Sequence, residues 1–443
     1  MTVVVLGAVF LVLVALLAAA TRSFDHVVSP VTLFGLGLFL YVVAIPMEVT
    51  LTGNRNLSLR STIVIPQEVV TQVVPLAFVA LIAFVVGYLL IVDRTPFTQP
   101  TFSRADIAHA QRALGLCAAL SVLVMLVLFG AQLIATRDYT TSYTQRYESP
   151  LYAVGLAMMQ VLLAMYGFSL ARFGRHPFRD AVAFAGLLSM WGLYSNQKTP
   201  IVLAGLVALG YLTTRVRKPS ALAVGTSVMV MPVLLAVAAI SFSTFRGGGV
   251  LQLAGRSGYL TTIEPAGPFV SIVDEMLDRG SSAPASGFGE SVIQGLVGWV
   301  PRAVWSDRPL DIAEQFARTR IPDWQPGEGY GYSPFAEAVH QGGLAGVAAY
   351  FLLLGLVVAL LRNLLLRRRH DGSALTIVAE SFYHVVVLLL LFTLFRGPLQ
   401  AFVTTFVQYS VALVLALVMT ALLPRLLQDS HAVGSDPDPV EVS

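Results

Sequence analysis

The chain has 443 residues, of which 56% are hydrophobic and 12% are charged, and its mean hydropathy is +0.75. A soluble core cannot cover so much apolar surface, so the composition excludes an ordinary soluble protein. A net charge of +3 without a compact basic face argues against a nucleic-acid partner. The single cysteine, Cys117, excludes disulfides and cysteine-based metal sites within the chain.

Long apolar runs recur along the chain, and most of them are close to the roughly 20 residues that a helix needs to cross a bilayer. We therefore predict an all-α polytopic membrane protein with about eleven transmembrane helices. The runs are residues 2–20, 27–47, 69–92, 113–135, 151–171, 181–195, 200–214, 221–242, 338–361, 374–395 and 398–424. The first run has no basic residue before it, so we expect it to be retained as a helix. The runs 181–195 and 200–214 are short and are separated by a tight hairpin that contains Lys198.

The basic residues in the short loops indicate the orientation. Alternate short loops on one side hold fifteen Lys and Arg residues, and those on the other side hold six. Because positive charges close to spans stay in the cytoplasm, we predict that the N-terminus faces outward and the C-terminus inward. Localisation in the cytoplasmic membrane follows as an expectation.

This orientation divides the chain into four parts. Residues 1–242 carry the first eight spans, residues 243–336 form a large extracytoplasmic loop, residues 337–425 carry the last three spans, and residues 426–443 form a disordered cytoplasmic tail. Apolar spacing within the loop predicts helices at 268–279, 290–300 and 311–318. The first is amphipathic, with Asp274, Glu275 and Asp278 opposite its apolar residues, and we expect the loop helices to lie on the membrane as a lid.

Several polar motifs follow one another in a fixed order from residue 190 onward. They are Gln197-Lys198-Thr199, then Thr244-Phe245-Arg246-Gly247-Gly248, then Val300-Pro301-Arg302-Ala303-Val304-Trp305-Ser306-Asp307-Arg308-Pro309, then Glu337 with Gly343 and Gly346, and finally Arg396-Gly397. In order and spacing they resemble the Wzy-type O-antigen polymerases, which are related to the O-antigen ligases. The resemblance covers residues 190–410 by motif and the whole chain by topology. Two positions depart from the usual family pattern, since Lys198 replaces an arginine and Arg308 replaces a lysine.

This resemblance implies a GT-C-like fold and an inverting transfer of a glycan from an undecaprenyl-pyrophosphate donor to a second lipid-linked glycan. Such chemistry needs cations for the leaving pyrophosphate and a base for the acceptor hydroxyl. No cofactor or metal is expected. The candidate bases are Glu337 and His340, three residues apart on one helix face. The candidate pyrophosphate- or glycan-binding residues are Lys198, Arg246, Arg302, Arg308, Arg396, Tyr330 and Tyr332.

Each candidate also has a structural interpretation. Arg246 can be an interfacial anchor, Arg302 and Arg308 can be salt-bridged within the loop, and Glu337 can be a favourable charge at a helix N-terminus. The rival functions are an O-antigen-ligase-like transferase and a lipid-linked glycan flippase or transporter. The expected partners are undecaprenyl-pyrophosphate-linked oligosaccharides, the lipid bilayer and, as a further candidate, a chain-length regulator.

Overall fold

The computed structural model describes residues 1–21, 29–58, 62–94, 102–135, 149–173, 220–222, 225–226, 228–230, 260, 265–279, 289–300, 305–321, 331–366 and 373–432. Within these ranges eight helices are long and apolar enough to cross a membrane. They coincide with eight of the predicted runs, so the polytopic helical class is confirmed. The three runs predicted between residues 181 and 242 fall almost entirely outside the described residues.

Some spans are single helices, and two are built from shorter pieces. The elements are α1 (Thr2–Thr21), α2 (Pro30–Leu38), α3 (Ala44–Thr52), α4 (Gln67–Ile91), α5 (Arg104–Ala135), α6 (Pro150–Phe173), α7 (Ala266–Arg279), α8 (Glu290–Val297), α9 (Ile312–Arg320), α10 (Pro334–Leu366), α11 (Ala374–Phe382), α12 (Leu388–Thr393) and α13 (Leu399–Ala432). A π-helical turn at Phe39–Val43 joins α2 to α3, and another at Tyr383–Val387 joins α11 to α12. The helix α13 continues beyond residue 426, where the disordered tail was predicted to begin.

A small β-hairpin follows α3 and was not predicted. Strand β1 (Asn56–Ser58) pairs antiparallel with β2 (Thr62–Val64), with Leu57 opposite Ile63. Gly53 ends α3 in the left-handed conformation, with φ of 72°, which is typical of a glycine after a helix C-terminus. This short hairpin is a local addition to a fold whose membrane-spanning part is helical.

Within the part of the chain that the structure describes, the spans α4 and α10 pack closely against each other. A methyl group added to Gly87 of α4 would collide with the backbone carbonyl of Leu352, and one added to Gly355 of α10 would collide with the carbonyl of Phe84. Small residues allow helix backbones to approach closely in a membrane, where lipid gives no hydrophobic drive for association. These two glycines therefore fix the distance between the spans that border the candidate site.

Aromatic rings fill the core between α2, α4, α10 and the end of α12. The ring of Phe34 stacks on Phe84 with centroids 3.9 Å apart, and it meets Phe351 and Phe395 edge-on or tilted at 5.4 Å. All four rings are fully buried. Packing of this kind holds the neighbouring backbone in one arrangement.

The bundle has two chemically different ends. At one end the C-terminal regions of α4 and α10 are joined, since Arg362 and Asn363 donate to the backbone carbonyls of Asp93 and Ile91. At the other end lie the N-terminus of α10 and the described parts of the loop. Arg94 and Arg362 therefore lie at the end of the bundle opposite the described parts of the long loop, and the orientation of these ends across the membrane stays a prediction.

The helix α10 is broken near its beginning. Gly342 and Gly343 have non-helical backbone angles, and Gly343 has φ of 56°, a conformation that strongly favours glycine. The break separates a short segment, residues 334–341, from the long membrane-crossing part of the helix. Both candidate bases, Glu337 and His340, lie on this short segment.

Candidate functional site

The loop helix α7 packs into the protein against the short segment of α10. Its apolar residues Phe269, Ile272 and Val273 are almost completely buried. The expected polar face is only partly exposed, because Asp274 is 8% exposed and the Glu275 side chain is 13% exposed. The prediction that α7 lies on the membrane surface is therefore wrong for the turns of α7 that are buried inside the protein.

Glu275 and His340 form a partly buried pair between α7 and α10. The Nδ1 atom of His340 lies 2.9 Å from Oε2 of Glu275, and the two side chains are 19% and 13% exposed. The hydroxyl of Tyr332 donates to the other oxygen, Oε1 of Glu275, over 2.6 Å. A carboxylate that accepts from Nδ1–H fixes the imidazole tautomer and leaves the basic lone pair on Nε2. This arrangement is suited to general-base chemistry.

Tyr332 positions Glu275 through its hydroxyl group, and this contact differs from its predicted role of binding glycan. Its side chain is 1% exposed, and the ring of Phe316 from α9 packs on it edge-on at 5.4 Å. A ring so deeply buried is not placed to stack on a sugar. Its geometry corrects the predicted glycan-binding role to that of positioning the Glu275 carboxylate.

Glu337 connects three parts of the chain. It is 0% exposed. Its Oε1 accepts from the hydroxyl of Ser291 in α8 over 2.9 Å, and its Oε2 accepts from the backbone N–H of Leu399 over 2.8 Å. The second contact caps the N-terminus of α13, where a negative charge is stabilising. Glu337 is therefore a structural junction in this state, and its predicted contact with the acceptor hydroxyl stays a prediction.

Gln341 completes the attachment of α8 to the short segment of α10. Its amide nitrogen donates to the hydroxyl of Ser291, and its amide oxygen accepts from the backbone N–H of Gly289 over 2.6 Å. Ser291 and Gln341 are each 5% exposed. Because Glu337 and Gln341 are four residues apart, they present both contacts from one helix face.

Arg396 lies at the same end of the bundle, in the short 3-10 turn before α13. It is half-buried and interacts electrostatically with Tyr41 of the second span. Its backbone carbonyl lies against Gly331, which has φ of 76°, next to Tyr332. Arg396 is thus held at the end of the apolar spans close to Tyr332, and its predicted contact with a charged group stays a prediction.

Arg308 has structural contacts inside the loop. It donates to the carbonyls of Gly298 and Val300, the second over 2.8 Å, at the C-terminal end of α8, where a cation is favourable. Close by, Asp311 caps α9 by accepting from the N–H of Ala313. Burial raises the pKa of the Asp311 carboxyl, and the Ala313 hydrogen bond acts in the opposite direction. The predicted pyrophosphate contact of Arg308 stays a prediction.

An ion pair attaches α9 to α7. The guanidinium of Arg320 bridges to the carboxylate of Asp274. Burial raises the pKa of Asp274, and the neighbouring Arg320 charge offsets part of that effect. The loop helices α7, α8 and α9 are thus each attached by side-chain contacts, and together we call them the lid.

Four predicted site residues, Lys198, Arg246, Arg302 and Tyr330, lie outside the described residues. Within the described ranges, no group of three or more His, Cys, Asp or Glu side chains is arranged to hold a metal ion. The structure therefore brings together Glu337, His340, Tyr332 and Arg396 at one end of the bundle.

The sequence did not identify three side chains that complete this cluster. Glu275, Ser291 and Gln341 come from separate elements, and only folding brings them together. A signal for Glu275 was present, because no charged residue occurs between Glu264 and Asp274, so the first turns of α7 are uncharged on all sides. Such a segment is typical of burial rather than of a surface helix.

Comparison of the chain with family models, with curated proteins and with solved structures returned no match. The membrane architecture and the local geometry of the cluster are thus the basis for a functional proposal.

Proposed function

We propose that this chain is an inverting glycosyltransferase with GT-C-like architecture that polymerises undecaprenyl-pyrophosphate-linked oligosaccharide repeat units. It acts on the outer face of the cytoplasmic membrane, with its N-terminus outside and its C-terminus in the cytoplasm. The products are the glycans of an O-antigen, a capsule or an exopolysaccharide. The observation that carries this proposal is the Glu275–His340 pair, 2.9 Å apart, at the lid end of a polytopic helical bundle.

His340 is the base in this proposal. The acceptor hydroxyl attacks the anomeric carbon of the donor while its proton passes to Nε2 of His340. A new C–O bond forms, and the bond from the anomeric carbon to the pyrophosphate oxygen breaks, with inversion. Glu275 stabilises the imidazolium that forms, in the manner of the carboxylate in a catalytic triad. Glu337 is reassigned from base to positioning residue because it is fully buried and its two oxygens hold Ser291 and Leu399.

Undecaprenyl pyrophosphate is the leaving group. Its negative charge grows as the glycosidic bond breaks, so fixed cations near it lower the barrier. Arg396 is the described cation best placed for this role, and Lys198, Arg246 and Arg302 are the further candidates from the sequence. Arginine binds phosphate oxygens with two parallel N–H groups, and this geometry also orients the donor.

The proposal is tested in a strain from which this chain has been deleted. Loss of polymer with accumulation of glycans that carry a single repeat unit supports a polymerase. Accumulation of full-length polymer that has not reached its final acceptor indicates a ligase instead. If Glu337→Gln and His340→Ala both leave polymer length and amount unchanged in the complemented strain, the site assignment is wrong.

A further inference from the structure

The lid helix α8 has its small and polar residues inside and its large apolar residues outside. Ser291, Gly295 and Gly298 face the protein and are buried. By contrast, Ile293, Leu296 and Trp299 are 65%, 54% and 46% exposed. At 100° per residue, Ile293 and Leu296 fall on the side of the helix away from Ser291 and Gly295, and Gly298 and Trp299 follow in the turn directly after Val297.

The inner face of α8 fits closely against the beginning of α13. A methyl group on Gly295 would lie 3.2 Å from the backbone nitrogen of Gln400, and one on Gly298 would collide with the Gln400 side chain. Hydrogen bonds from Ser291 to Glu337 and from Gln341 to Ser291 hold the same face in place. The orientation of α8 is therefore fixed, and its apolar face points away from the protein.

The outward pattern of α8 matches that of a lipid-facing span. On α13, which α8 contacts, the outward residues Val411, Val414 and Val418 are 45%, 58% and 46% exposed. A helix in lipid shows large apolar residues outside and small or polar residues at its protein contacts. A helix in water shows the reverse.

The helix α9 belongs to the same lid as α8 but has the pattern of a helix in water. It exposes Gln315, Arg318 and Thr319, whereas its apolar residues Ile312, Ala313 and Phe316 pack against the core. Two helices of one lid thus present opposite surfaces, so general exposure of the loop does not explain the apolar face of α8.

We propose that the outer face of α8 is inserted among the acyl chains of the outer membrane leaflet next to the start of α13, while α9 lies in water. Trp299 is at the end of this face, where an indole ring is favoured at the level of the lipid headgroups. The lid is then attached to the bilayer along one edge by Ile293, Leu296 and Trp299. This proposal does not depend on the catalytic function of the chain.

Tryptophan fluorescence in proteoliposomes tests the proposal directly. The chain has four tryptophans, and the triple variant Trp191→Phe, Trp305→Phe and Trp324→Phe leaves only Trp299. The protein is placed in vesicles of phosphatidylcholine and phosphatidylglycerol, with or without brominated phosphatidylcholine. We expect brominated lipid to quench Trp299, with bromines close to the headgroup more effective than bromines at the chain end, and we expect weak quenching by aqueous acrylamide.

Two matched controls define the scale, each with its single tryptophan in the background that also carries Trp299→Phe. Val414→Trp on α13 reports a residue in lipid, and Gln315→Trp on α9 reports a residue in water. If Trp299 behaves as the Gln315→Trp variant does, the proposal is overturned. If neither brominated lipid nor acrylamide quenches Trp299, a protein surface such as a second copy of the chain covers it, and the proposal is equally overturned.

Discussion

Replacing Glu275 with glutamine is the most informative test of the candidate site. The substitution keeps the shape of the side chain and removes the negative charge that faces Nδ1 of His340 at 2.9 Å. A hydrogen bond to a charged group contributes about 1.5–3 kcal/mol. At 1.36 kcal/mol per factor of ten, losing that support for the imidazolium lowers the turnover rate roughly 10- to 150-fold.

Two further substitutions set the order of effects. His340→Ala removes the base itself and lowers the rate by about 10²–10⁴. Tyr332→Phe removes one hydrogen bond to the Glu275 carboxylate but leaves the charge of Glu275 and its contact with His340 in place, so it lowers the rate by less than Glu275→Gln does. The expected order of severity is therefore His340→Ala, Glu275→Gln and Tyr332→Phe.

The assay is the initial rate of polymer formation by purified protein in proteoliposomes, together with the thermal midpoint of each variant. Because Glu275 acts through His340, the double variant Glu275→Gln with His340→Ala should be no slower than His340→Ala alone. Glu314→Gln is the matched control, since it removes a lid carboxylate whose partner Arg318 is 51% exposed and leaves the rate unchanged. Wild-type rates for Glu275→Gln, or fully additive losses in the double variant, would refute the reasoning.

Three other substitutions test the fold. Gly87→Ala places a methyl group against a backbone carbonyl of the neighbouring span and should destabilise the protein by about 1–3 kcal/mol. The measurement is thermal stability in detergent. The control is Gly130→Ala, whose added methyl group meets no atom within 4 Å and should leave the stability unchanged. Arg172 and Glu380 form a 2.6 Å ion pair, and their side chains are 4% and 0% exposed. Arg172→Ala leaves the Glu380 charge buried without this partner and should lower the free energy of unfolding by about 3–5 kcal/mol. Replacing both residues with apolar ones should restore much of that loss. Because burial raises the pKa of Asp311 in the folded protein, its contribution to stability is greatest at low pH and falls as the pH rises through the folded-state pKa. Asp311→Asn keeps the helix cap and should make the thermal midpoint less dependent on pH in this range. An unchanged pH dependence would contradict the role given to Asp311.

The parts of the fold that depend on local composition were predictable. Apolar runs identified the eight described spans to within a few residues at most ends, because the bilayer requires continuous apolar segments of that length. Helical spacing within the loop also located α7, α8 and α9. The π-helical turn at Tyr383–Val387 and the break at Gly342 left no comparable signal, since a single irregular turn barely changes hydrophobic periodicity.

The candidate site was predictable only in part. Glu337, His340 and Arg396 were identified because a charged or polar residue at a span end is conspicuous. The partners that decide their roles come from distant positions, as Glu275 does for His340 and Leu399 does for Glu337. Nothing in a local pattern separates a carboxylate that caps another helix from one that acts on substrate, so the base was first assigned to two residues.

Reconstitution with a defined substrate is the most direct test of the central claim. Purified protein in liposomes is given an undecaprenyl-pyrophosphate-linked repeat unit, without nucleotide sugar and without added metal. We expect a ladder of longer lipid-linked glycans and the release of undecaprenyl pyrophosphate, and we expect His340→Ala to slow both reactions greatly. Repeat units that stay single, whether left in place or moved unchanged across the bilayer, would contradict the central claim.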